Sequence, residues 1–364
     1  MRVTLHSPAM WNLLVVAVLV IFGMAGCDTA ATDPAEDLTT YVLVANQGNF
    51  GDGNGSVTRF DPETGTVTSV LARAGSIIQS IFVRDNLTYA VMNTGDRIDI
   101  LDQSRGLIGQ IVDVPSPRYI AWADTDRLLV SNLFDNTVSI VDLTTSSIVG
   151  SVDVGPNPEG IFVGGGLAYV ANHGFGSGST ISVVDIGTGQ VVRTPDLACD
   201  GPRFVFMDAQ SELWIVCSGQ VLYDANFNAV GTTNGAVLVM DRTTDAILNR
   251  FDVGGMITTP GPGQDAFYSE SSESLFVVLE SESILHFDTA QNLQMQQIGP
   301  LSGDPIGAVA FDAGSERLYV GRVPGFTQAG EVTILHLDGT VLDSFTAGVA
   351  PSHIAIANQD GSVL

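Results

Sequence analysis

The chain has 364 residues, 45% hydrophobic and 15% charged, with 40 glycines, the composition of a β-rich globular body and not of a disordered chain. All 14 of its basic residues are arginine, against 40 Asp and Glu, for a net charge of −26. A surface this acidic repels phosphodiesters and has no basic stripe for counterion release, which excludes nucleic acid as a partner and leaves solubility or the attraction of cations as the role of the charge.

Residues 1–26 read as a signal peptide and stay outside the fold. Arg2 and His6 precede an apolar run over 13–22, too short to cross a bilayer core. Met24-Ala25-Gly26-Cys27 then resembles a bacterial lipobox. The resemblance implies lipidation of Cys27, export, and anchoring in the bacterial cell envelope at the outer membrane; the other reading is an ordinary signal peptide beside a free cysteine. Residues 27–40 are polar and contain proline, as a flexible tether should.

From 41 to 364 one pattern recurs seven times: an apolar alternating run, a polar break, and a second run leading to Asp61, Asp102, Asp142, Asp185, Asp241, Asp288 or Asp338. These aspartates stand 40 to 56 residues apart, a period that marks β-propeller blades. The third repeat reads as four strands, RYIAWAD, RLLVSN, TVSIVD and SIVGSVDV, and the others follow it. The first repeat supplies only three, and its missing inner strand matches PSHIAIA at the far end. The expectation is an all-β, monomeric, seven-bladed β-propeller of four-stranded antiparallel blades, closed where the C-terminal strand joins the N-terminal blade. The recurring aspartates precede turn residues, as in DPETG, and read as turn caps.

Cys199 and Cys217 fall in one repeat, at the start of one strand and the end of the next. In an exported chain they suit either a disulfide or two buried thiols. They offer too few ligands for a zinc site.

Labelling strands a to d outward from the axis puts the b-to-c loops and d-to-a crossovers on one face. The ends of the b strands give Asn46, Asn93, Asn132, Asn172, Ser218, Glu280 and Arg322; the starts of the a strands give Gln79, Arg118, Glu159, Arg203, Gln264, Ile306 and Ser352, with Tyr119, Phe204, Asp265 and His353 beside them. Both sets are expected at the channel mouth. Asparagines repeated at one position suit capping of loop backbone or the binding of a polar ligand. The charges that break the symmetry suit a binding funnel or ion pairs between blades, and the funnel reading expects Arg118, Arg203 and Glu280 to be replaceable together with little effect on melting. Four b-to-c loops are long, and each carries aromatics: Phe50, Phe175, Tyr223 with Phe227, and Phe326.

For catalysis no residues stand out. His173 and His353 have no partner at local spacing, and no nucleophile elbow or zinc-protease motif is present. The glycine-rich loops lack the lysine of a phosphate loop. Glu159, Glu280, Asp265, Asn46 and Asn172 are the residues a divalent ion would need in a metal-dependent hydrolase or lyase.

Segments such as LAYVAN…TISVVDIGTGQVV resemble the YVTN-type, surface-layer-protein-like propeller repeats of exported bacterial proteins, over nearly the whole mature chain. The opening YVLVANQGNFGDGNGSVTRFDPETG is similar to that of surface lipoproteins that capture cobalamin and pass it to an outer-membrane transporter, although Gln47 stands where that group commonly has glutamate. The resemblance implies a corrinoid ligand and a transporter partner. The expected function is therefore an envelope binding protein holding a small polar ligand or a protein on its loop face; an interaction scaffold and a metal-dependent enzyme are the alternatives.

Overall fold

An aspartate at the outer end of a strand organises every repeat. In the computed structural model, which describes residues 40–358 apart from 103, 105 and 262, the Oδ1 of each accepts turn amides two or three residues on. Asp61 takes those of Glu63 and Thr64, each at 3.0 Å, and Asp142 those of Thr144 at 2.8 Å and Thr145 at 3.0 Å. Asp102, Asp185, Asp241, Asp288 and Asp338 do the same. The amide bonds hold the carboxyls of Asp61, Asp185, Asp241 and Asp338 below their ordinary value, and the Thr144 hydroxyl, ahead of the amides, does so for Asp142. The signal peptide 1–26, Cys27 and the tether as far as 39 lie outside the described residues.

Each capped turn joins strands c and d within one of seven four-stranded antiparallel sheets. Blade 2 is Ile78–Arg84, Leu87–Met92, Arg97–Asp102 and Gly106–Val112; blade 3 is Pro117–Trp122, Arg127–Asn132, Thr137–Asp142 and Ser147–Asp153; blade 4 is Pro158–Gly164, Leu167–Asn172, Thr180–Asp185 and Gln190–Arg193. Blade 5 is Pro202–Met207, Glu212–Cys217, Ala236–Asp241 and Ile247–Asp252, with an extra hairpin, Val221–Tyr223 and Ala229–Thr232, in its b-to-c loop. Blade 6 is Ala266–Ser269, Ser274–Leu279, Ser283–Asp288 and Leu293–Ile298, and blade 7 is Ile306–Asp312, Arg317–Arg322, Ala329–Leu335 and Val341–Val349. Pro351–Asn358 becomes strand a of blade 1 by pairing with Thr40–Asn46, Val44 facing Ile354, and Ser56–Asp61 and Thr66–Leu71 complete that sheet. The propeller is thus closed by its two ends, as the sequence predicts, and two sheet edges are hidden. Among the described residues there is no α-helix.

Burial is deepest in the b strands and least in the outer d strands. The b strand LAYVAN of blade 4 is buried at all but its first residue, while the d strand SIVGSVD of blade 3 alternates with solvent. Core clusters form between neighbouring sheets, as where Tyr169, Ile181 and Val183 of blade 4 meet Val205, Leu213 and Ile215 of blade 5. Each fully buried Val or Leu contributes about 1.5–3 kcal/mol. A disulfide joins Cys199 to Cys217, two buried residues 18 apart, at the root of the long blade 5 loop; closing a loop of that length contributes about 3 kcal/mol.

Candidate functional site

The entry to the a strands is where sequence and geometry cooperate. In six blades the register slips just after the strand begins, between Ile78 and Ser80, Pro117 and Ile120, Pro158 and Ile161, Pro202 and Phe204, Ile306 and Ala308, and opposite Pro351 to His353. A β-bulge re-aims the residue it leaves unpaired. The unpaired positions include Gln79, Arg118, Glu159 and Arg203, which the bulges turn toward the axis. Gly160, in the same bulge as Glu159, lets strand a of blade 5 pass close by: a Cβ there would lie 2.7 Å from the Arg203 carbonyl oxygen.

These residues form a buried polar layer. Arg118 donates from Nε and Nη2 to the two oxygens of Glu159, at 3.0 and 2.6 Å, and from Nη1 to Gln79 Oε1. Arg203 donates to Asp265 and, at 2.9 Å, to the carbonyl of Gly263. Burial opposes charge on Glu159, but Arg118 and Arg203 outweigh it and hold the carboxyl below its ordinary value. Burial also opposes charge on Arg203, which Asp265, Tyr119 and Glu159 overcome to raise its pKa. Asp265 goes the other way: burial lifts it to about 6 despite Arg203. His173, beside the layer, is pushed down to about 4 by burial with Arg203 and Arg118 adding to it against Glu159, so the ring is neutral.

Above this floor opens a cavity of about 590 Å³, within the range of small-molecule sites. Arg118, Glu159, Arg203, His173 and Asn93 meet it from below, and Phe50, Phe134 and Phe175 stand around it. The three rings are 72%, 63% and 63% exposed, and those of Phe134 and Phe175 lie 6.2 Å apart across blades 3 and 4. Two of them are placed by local chemistry. Phe50 sits in a loop tied by Asn54 Oδ1 accepting from Asn49 N at 2.6 Å and Asn49 Oδ1 from Gly51 N at 2.8 Å. Phe175 has φ +53° between two glycines of positive φ, a conformation uncommon and costly for phenylalanine that tends to mark functional sites. Arg203 Nε, which makes no hydrogen bond among the described residues, is buried beneath the cavity surface, next to Tyr119.

The two aligned sets divide here. Asn46, Asn132 and Asn172 are turned into their own blades, where each Nδ2 bonds two hydroxyls of strand c: Ser56 and Thr58, Thr137 and Ser139, Thr180 and Ser182, all within 2.7 to 3.1 Å. Asn93 departs from them, donating to Pro117 O at 3.1 Å and lining the cavity. Glu280 accepts from Met256 N at 3.1 Å and borders a separate hollow with Gly254 and Gly255. Arg322 donates to Asp304 O at 3.0 Å, and Gln264 Oε1 accepts from Ile354 N at 2.8 Å, tying blade 6 to blade 1. Phe326 packs against Gly261 in the cavity wall, and Tyr223 stands on the extra hairpin, away from the cavity. The set named for a divalent ion is not gathered, and among the described residues no group of three or more His, Cys, Asp or Glu is placed to hold a metal.

The burial of Arg118 and Arg203 corrects one expectation: removing these charges together with Glu280 would strip partners from Glu159 and Asp265, so melting would not be spared. Phe134 went unnoticed because its b-to-c loop is short, yet an aromatic at the tip of LFDN, where polar turn residues belong, was the available signal. His173 Nε2 lies 3.1 Å from Ser218 Oγ, but that hydroxyl donates to Gly219 O at 2.7 Å. Its oxygen is then the acceptor, the reverse of what a serine nucleophile needs.

No family model and no curated protein sequence matches the chain. Solved structures do resemble it. Kuenenia stuttgartiensis hydrazine synthase superposes with a TM-score of 0.63 at 17% identity, over 79% of this chain and 94% of that one. Apo AztD from Citrobacter koseri gives 0.55 at 12% identity, over 90% and 100%. At these identities the likeness is one of fold.

Proposed function

We propose that this propeller is an envelope binding protein whose loop-face cavity captures a small organic ligand with a flat apolar face and compact hydrogen-bonding groups. The observation that carries the reading is the cavity of about 590 Å³ ringed by three exposed phenylalanines over a buried polar floor of Arg118, Glu159 and Arg203. Apolar rings exposed singly need no explanation, but three converging on one concave polar site do. Stacking on the rim supplies affinity, and the floor selects ligands whose hydrogen-bonding groups match the polar residues that line it, Arg118, Glu159 and Asn93 among them.

Two features extend the reading. The Met24-Ala25-Gly26-Cys27 motif supports export and a lipid anchor on Cys27, which would hold the propeller at the outer membrane. The string that resembles cobalamin-capturing lipoproteins carries Phe50, one of the rim rings. A corrinoid therefore belongs among the ligands, its macrocycle lying over the rim and a side-chain amide reaching the floor, for delivery to a transporter.

Titration of the protein with cobalamin, cobinamide and riboflavin, followed by calorimetry and absorbance, tests the ligand class. Saturation at one equivalent by at least one of them is expected, without turnover. Absence of binding by all three at micromolar protein would refute the reading. Cys27→Ser should release the chain from the membrane fraction; retention there would refute the anchor.

A further inference from the structure

A second cavity lies on the axis on the other side of the polar layer. It measures about 210 Å³ and is lined by residues directly following the floor: Tyr119 after Arg118, Gly160 after Glu159, Phe204 after Arg203. Seven of its fourteen lining residues are Phe or Tyr, in a chain that is 7% aromatic. The rings run around the wall in contact: Tyr119 and Phe204 with centroids 5.3 Å apart, Phe204 and Phe206 6.1 Å, Phe206 and Tyr268 5.8 Å. Phe82 lies 5.7 Å from the His353 ring on the other side. No Arg, Asp or Glu lines it.

The surroundings are acidic. The a-to-b turns at this end of the axis, residues 85–86, 123–126, 165–166, 208–211, 270–273 and 313–316, contain seven carboxylates and no arginine. Arg84 and Arg127 pair with Asp85 at 3.5 Å and Asp124 at 2.7 Å, and Arg317 flanks the last turn. Asp126, Asp208, Glu270 and Glu273 have no such ion pair among the described residues. After burial, the negative charges of Asp208, Glu273 and Glu270 raise the pKa of the Tyr268 hydroxyl. His353 adds no positive charge, since burial pushes it down to about 3.

The Arg203 guanidinium lies 5.7 Å from the Phe204 centroid, which leaves the other rings to carry the attraction; aromatic walls set in a negative field attract one ligand class above others. Ring faces are negative and draw a cation that sheds water easily, as methylated ammonium does, whereas a bare metal ion or a primary ammonium keeps its water. A void of about 150 Å³ lined by apolar side chains holds benzene, so this one has room for a head group the size of choline. We propose that this axial cavity is an aromatic cage for a quaternary ammonium ion, a site distinct from the loop-face cavity and facing the opposite end of the propeller. The polar edges of Gln264 and His353 would take a hydroxyl or ether carried by such a cation.

The test compares the full chain's binding of choline with that of 3,3-dimethylbutan-1-ol, the neutral molecule of the same shape, by calorimetry and Trp122 fluorescence. Saturable choline binding at least about tenfold tighter than the alcohol is expected, weakening with salt. Phe206→Leu, which keeps an apolar residue there, should weaken choline more than the alcohol, and F134A/F175A should leave choline binding unchanged. Equal affinity for the two molecules, or no saturable choline binding, would overturn the proposal without recourse to a variant. Loss of choline binding in F134A/F175A would overturn its placement.

Discussion

The outer turns and the axial layer of this propeller use the same residue types to opposite ends. At the turns, seven aspartates repeat from blade to blade, each exposed or partly so and each satisfied within three residues of itself. At the axis, Gln79, Arg118, Glu159 and Arg203 occupy equivalent places but differ in kind, and the pairs they make with one another and with Asp265 span 39 to 62 residues. Repetition thus marks groups that serve their own blade. Departure from repetition marks groups that need neighbours, and the cavity lies over those. The three asparagines with identical bonds to strand c and the fourth that lines the cavity show the same division on a single aligned column.

The comparison breaks first at Glu159. Its replacement by Ala leaves Arg118 charged and buried without its bidentate partner, which costs about 3–5 kcal/mol; urea unfolding measures it, and a loss under 1 kcal/mol would show the layer to be solvated. R118M/E159M removes both charges and should restore most of that loss.

Acid comes next. His173 and His353 titrate near 4 and 3 in the fold against 6.5 in the unfolded chain. The unfolded chain then binds more protons between those values, so stability falls as pH is lowered from about 6.5 toward 3. Asp265, raised to about 6 from 3.8, contributes with the opposite sign, its stabilisation being lost as pH rises through that interval. The two histidines outweigh it, and the turn aspartates with lowered pKa add their own loss as pH falls below 3.8. The melting temperature should therefore decline from pH 6.5 to 4, and His173→Asn should flatten the decline. A melting temperature constant over that range would show that these rings reach water. The smallest effect belongs to Asp142→Ala, which uncaps one exposed turn of seven and should change melting least of the variants named.

Much of this division could be read in the chain itself. Aspartates such as Asp61 in FDPETG set the register, and prolines such as Pro158 and Pro202 announce the a strands, so blade count and closure through Pro351–Asn358 follow from local pattern. What local pattern does not carry is partnership. Arg118 meets Glu159 from the next blade, and Arg203 meets Asp265 across the crossover between blades 5 and 6, because β-bulges re-aim side chains by amounts that no alternation encodes. Likewise Tyr223 and Phe175 look alike as loop aromatics. Only the left-handed backbone at Phe175 and the detached hairpin under Tyr223 separate a rim residue from one that points elsewhere.

The most direct test of a site built on asymmetry is calorimetric titration of three proteins in parallel: the parent chain, F134A/F175A, and D142A, each with cobalamin, cobinamide and riboflavin. The account predicts that a ligand saturating the parent at one equivalent binds D142A unchanged and F134A/F175A roughly 5- to 150-fold more weakly, since each of the two stacked rings is worth about 0.5–1.5 kcal/mol, while all three keep the parent's far-UV spectrum. Undiminished binding by F134A/F175A, or no binding by the parent, would contradict it.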